Sequence, residues 1–160
     1  MKDDTSRARW AVRYIVIETL TNTGISIALS IVFALLFFRG QQVVDLGSQA
    51  VVLDLMPQSL AVGLMSFLVP TLLTRQRRRS GKLEVLQGQH VFPRNVFLRS
   101  AVVGIVTAVV CTAAYAIFKP SPGLFIQPLS RFVALKGAFG AILSMVLTPV
   151  ALFAALKDPN

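Results

Sequence analysis

The sequence predicts an all-α integral membrane protein of four transmembrane helices, and three observations carry that reading. The chain of 160 residues is 54% hydrophobic and only 14% charged, too little polar surface to coat a soluble globule of its size. Its charged residues are also clustered. Between the clusters lie 19–38, 55–74, 100–118 and 137–156, four runs of about 20 residues free of Asp, Glu, Lys, Arg and His. At about 1.5 Å rise per residue each run covers about 30 Å as a helix, the thickness of a bilayer's hydrocarbon core. Lys and Arg, finally, collect before the first run and between the second and third, the asymmetry that orients membrane helices.

With their interfacial residues the spans are expected at about 15–38, 57–74, 97–118 and 131–156. All belong to one transmembrane domain over 1–160. Lys2, Arg7, Arg9 and Arg13 mark 1–13 as a cytoplasmic segment, and the basic loop 75–96 falls on the same side. Both termini are therefore expected in the cytoplasm and the protein in a cell inner membrane. The basic start, the apolar run from Gly24 to Phe38 and the small residues Ser48 and Ala50 about ten residues beyond it have some features of a leader peptide. The distance to that site is twice a normal leader, so the expectation is an uncut first helix.

The first span begins at the interfacial aromatics Trp10 and Tyr14 and is polar in its first half and apolar in its second. The connection after it is apolar enough for Val43–Leu55 to read as an interfacial segment. Pro57 then suits the first position of the next helix, where a missing N–H costs nothing. In the loop, "KLEVL" and "HVF" could pair as a small hairpin about Gly88, or the whole could be a basic linker on lipid. A Pro-rich connection, "KPSPGLFIQPLS", follows the third span; its Phe125 and Ile126 should dip into the interface, and Ser130 should cap the fourth helix. "SFLVPTLL" and "SMVLTPVALF" echo each other, suggesting two tandem helical hairpins. The echo also places Pro70 and Pro149 as kinks, each withdrawing a hydrogen bond from its helix.

Two polar rows carry the candidate site residues. Glu18, Asn22, Ser26 and Ser30 recur every four residues and so share one face of the first helix. A carboxylate among apolar residues is a proton or cation candidate, while the same row can serve as interhelical glue, with Glu18 paired to Arg75 or Arg99 and Asn22 donating to the Ser66 carbonyl freed by Pro70. In the fourth span Lys136, Gly140, Ser144 and Thr148 form a second row, which Gly137 and Ala141 thicken into a helix-packing face. Asp54 and Lys136 fall at the same membrane depth and are candidates for an ion pair at the outer side. Arg75, Arg77, Arg78, Arg79 and Lys82 read as contacts to anionic lipid headgroups, and the net charge of +9 as a membrane signal rather than a nucleic-acid one.

One His and one Cys, His90 and Cys111, leave no His-based triad and no multi-Cys metal site to assemble, and no glycine-rich phosphate loop is present. The expectation is therefore a non-enzymatic membrane protein without cofactor or metal. It would act as a subunit, accessory or scaffold, as a homo-oligomer or within a larger membrane complex. The alternative is a small oligomeric proton- or cation-coupled transporter or channel using Glu18.

Overall fold

In the computed structural model residues 2–79 and 95–156 are described, apart from the side chains of 2–8, 10, 11, 78 and 79. The possible hairpin about Gly88, Lys82, His90 and the headgroup contacts of Arg78 and Arg79 lie outside the described residues. Four helices make up nearly all of the rest: α1 (Lys2–Phe37), α2 (Gln49–Arg79), α3 (Val96–Phe118) and α4 (Leu129–Leu156). Each is long and apolar enough to cross a membrane.

Their bounds differ from the sequence expectation in instructive ways. With no Pro or Gly before Gly24, nothing interrupts α1 on its polar side, and the helix takes in almost all of the segment expected to precede it. A helix of 36 residues is about 54 Å long, well beyond a hydrocarbon core. Pro57 does not start α2. It sits eight residues inside it and removes the bond to the Leu53 carbonyl, while Val51 and Leu55 before it and Val62 after it are buried, so packing holds the turns on both sides of the defect. Of the stretch 43–55, expected as an interfacial segment, Val43–Asp45 is extended and the part from Gln49 onward already belongs to α2. Ser130 lies in the first turn of α4 instead of capping it. At α3 the cap is Asn95, whose Oδ1 accepts from the Phe97 and Leu98 amides.

The extensive helix pairs are α1 with α4 and α2 with α3, with α2 and α4 meeting between them. Helices consecutive in the chain therefore pair at α2–α3, not as the two hairpins the internal echo suggests. The α1–α4 pair is antiparallel with a regular step: Phe38 meets Phe132, Ser30 meets Gly140, and Asn22 meets Thr148. Each meeting is eight residues from the last along both helices, about 12 Å. Ile15 with Leu152 and Leu156 closes the far end. On the other side α3 comes close to α2, where a Cβ on Gly63 would lie 3.2 Å from the Gly104 Cα.

The connections at one end of the bundle form a ribbon. Strand β1 (Val43–Asp45) pairs antiparallel with β2 (Ile126–Pro128), joining the segment before α2 to the segment before α4. Asp45 fastens it: one carboxylate oxygen accepts from the Gly47 amide at 2.9 Å and the other from the Gly123 amide at 2.8 Å. Ser121 to Leu124 is a turn closed by a 3.2 Å bond, with Pro122 and then Gly123 at φ +81°, the order a type II turn requires. Beneath the ribbon Ala34, Phe38, Val44, Val51 and Phe132 form an apolar cluster.

Candidate functional site

The two polar rows face each other. Glu18, Asn22, Ser26 and Ser30 on α1 are buried, as are Lys136, Gly140, Ser144 and Thr148 on α4. The Asn22 amide donates to Thr148 Oγ1 at 2.6 Å and to Ser144 Oγ at 3.1 Å, using both of its N–H groups, and the two hydroxyls lie 3.3 Å apart. Asn22 therefore does not donate to the Ser66 carbonyl: its helix packs along α4, and the acceptors on α4 are nearer. One turn further the helices touch through Ser26, Ser30 and Gly140, where a Cβ on Gly140 would meet the Ser30 hydroxyl and the Ser26 carbonyl. Gly137 is looser, with Ile27 and Ile31 at 3.6 and 3.9 Å from such a Cβ, and Ala141 is half-buried.

Asn22→Leu should cost about 1 kcal/mol, because interhelical bonds in a membrane are worth little more than that and Ser144 and Thr148 keep each other. Denaturation in mixed detergent micelles measures it; a loss of several kcal/mol would mean that Asn22 organises more than this seam.

At the terminal end of the bundle Arg77 Nη1 holds Glu18 Oε1, and its guanidinium lies 5.3 Å from the centre of the Tyr14 ring. The Tyr14 hydroxyl is 3.0 Å from Thr74 Oγ1. Arg77 is thus not simply a headgroup contact. It reaches inward because α2 continues to Arg79, beyond the expected end at Thr74. Arg99, the other basic residue of interest here, is buried, donating to Thr71 Oγ1 at 3.3 Å with its guanidinium 5.3 Å from the Phe67 ring centre. Arg75 is half-buried on α2.

Towards the ribbon Lys136 on α4 meets Asp54 and Gln58 on α2. Its Nζ pairs with the Asp54 carboxylate and donates to Gln58 Oε1, and it sits 5.6 Å from the Phe132 ring centre. Asp54 is 0% and Lys136 4% exposed, so neither reaches headgroups and each compensates the other in place. The sequence reading did not include Gln58. It stands one helical turn from Asp54 on the same face, a signal visible only once α2 is known to begin before Pro57.

Pro70 and Pro149 lie inside α2 and α4, which continue past them. Cys111 is half-buried and free, and among the described residues no group of three or more His, Cys, Asp or Glu is placed to hold a metal. Several buried hydroxyls, among them those of Thr23, Ser30 and Ser66, have no hydrogen-bond partner among the described residues. No family model, curated protein or solved structure matches this chain.

Proposed function

We propose that the chain is a non-enzymatic inner-membrane protein that acts as a subunit or scaffold of a membrane assembly, with both termini in the cytoplasm. The observation that carries this reading is the closure of the α1 row on the α4 row. Asn22 spends both N–H groups on α4, and the approach at Gly140 leaves no room for even a methyl group, so the polar residues act as glue along that seam. The orientation rests on the excess of Lys and Arg at the terminal end over Arg39, Lys119 and Arg131 at the ribbon end.

Assembly would use α3, which is buried only on the side that meets α2. Val102, Val106, Val109 and Ala113 lie along its opposite side at helical spacing, all exposed. Because Gly140 serves contacts within the chain, it is not the residue to alter in testing assembly. Val109→Trp is expected to shift the mass of the detergent-extracted complex, or to remove co-purifying chains, with the helical signal unchanged. A wild-type protein recovered as a bare monomer under mild extraction would sink the proposal.

The second reading, a small oligomeric proton- or cation-coupled transporter, is favoured by the unpartnered Ser66 hydroxyl and Gln58 Nε2 group inside the bundle. It predicts proton or cation flux in liposomes that Glu18→Gln abolishes while the assembly survives. The subunit reading predicts no such flux.

A further inference from the structure

The buried residues of α3 all lie between Val96 and Ala108; from Val109 onward none is buried. That half of the helix stands away from α4 and leaves a cleft of about 440 Å³. Its walls are Cys111, Tyr115 and Phe118 of α3 and Phe132, Leu135 and Phe139 of α4, with Val51 and Leu55 of α2 and Leu46 also lining it. The one strongly polar group of the α3 wall is already used, since the Tyr115 hydroxyl donates to the Leu46 carbonyl at 2.6 Å. Lys136 lines the cleft too, with its ammonium turned to Asp54 and Gln58. Such a space offers water almost no partners and suits an alkyl chain.

Two cations adjoin its lining in the chain, Lys119 next to Phe118 and Arg131 next to Phe132. Lys119 directly follows α3, and Arg131 is exposed one turn before Leu135 on the same side of α4. Neither has a carboxylate partner among the described residues, because Asp45 is engaged by the Gly47 and Gly123 amides and Asp54 by Lys136. Lys119 Nζ has only a 3.5 Å contact with Gln49 Oε1.

We propose that the cleft between α3 and α4 binds an anionic phospholipid, one acyl chain lying against the aromatic walls and the phosphate held between Lys119 and Arg131. The volume takes the chain, and the pair of cations selects the head. This site is independent of the assembly reading and does not require it.

The test uses the full chain in mild detergent, with native mass spectrometry of lipid retained from mixtures of phosphatidylglycerol and phosphatidylcholine with the same acyl chains. Wild type is expected to retain one phosphatidylglycerol in preference. Lys119→Gln and Arg131→Gln should each lower that preference about fivefold, the usual worth of one surface cation. Ala114→Trp, which puts an indole into the cleft, should remove retention of either lipid. Cys111 gives a second readout without any substitution: phosphatidylglycerol should slow its alkylation by N-phenylmaleimide more than phosphatidylcholine does. Unchanged selectivity in the Lys119→Gln/Arg131→Gln double variant overturns the proposal. So does equal protection of Cys111 by the two lipids, or a cleft that Ala114→Trp shows to be filled by a second copy of the chain.

Discussion

Lys136→Met should destabilise the bundle by about 3–5 kcal/mol, the usual penalty for stranding one member of a buried ion pair. The reason is depth. Lys136 is 4% exposed and Asp54 0%, so when the ammonium is lost the carboxylate can neither move out to the headgroups nor find another cation close by. Gln58 would remain, with its Oε1 deprived of a donor. Asp54→Leu should cost a similar amount by leaving the buried ammonium without a counter-charge, with only Gln58 Oε1 and the Phe132 ring beside it. The double variant Asp54→Leu/Lys136→Met is expected to recover most of the loss, since two apolar side chains of similar volume need no desolvation and can pack between α2 and α4. A double-mutant cycle on unfolding in mixed micelles reads this directly. Single variants within about 1 kcal/mol of wild type, the range of exposed pairs, would show that Lys136 reaches solvent in the membrane.

The four helices were legible because the bilayer writes its thickness into the sequence as gaps between charges, and no tertiary information is needed to read a gap. Which helix meets which is another matter. The row from Glu18 to Ser30 announces that one face of α1 avoids lipid, but a serine or asparagine face serves equally against α2 or α4. Only the geometry gives Asn22 its partners on α4. Local signals were least dependable where packing opposes them. Pro57 reads as a helix start, yet the turns before it carry Val51, Asp54 and Leu55, all buried, and their burial outweighs one missing hydrogen bond. That error also hid Gln58, while Arg77 was assigned to lipid for a separate reason: the charges from Arg75 onward read as the end of α2, which continues to Arg79. The ribbon could not be read at all: three-residue strands have no periodicity to detect, and these two are separated by the whole of α2 and α3.

Gly137 and Gly140 lie on the same small-residue face, yet replacing them is expected to give effects of opposite sign. An alanine in place of a helical glycine ordinarily gains up to about 1 kcal/mol, because the unfolded chain loses freedom and the helix does not. At Gly137 a methyl would meet Ile27 and Ile31 at 3.6 and 3.9 Å, ordinary contact distances, so Gly137→Ala should keep most of that gain. At Gly140 the methyl would meet the Ser30 hydroxyl, the Ser30 Cβ at 3.1 Å and the Ser26 carbonyl oxygen at 2.9 Å. The hydroxyl can rotate away but the carbonyl belongs to the α1 backbone, so the helices themselves must part. Gly140→Leu should therefore cost about 3 kcal/mol, the upper end of the usual range for overpacking, and should weaken the Asn22 bonds to Ser144 and Thr148 two turns along the same seam. Gly140→Ala should be milder and partly rescued by Ser30→Gly, which clears the side-chain collision and leaves the backbone one, whereas Gly140→Leu should not be rescued. Unfolding of these variants and wild type in one micelle series distinguishes this from a general tolerance of small residues at helix contacts. If Gly140→Ala proves as stabilising as Gly137→Ala, α1 and α4 do not approach as closely as the Ser26–Gly140 contact requires, and the seam would then have room for water between its two polar rows.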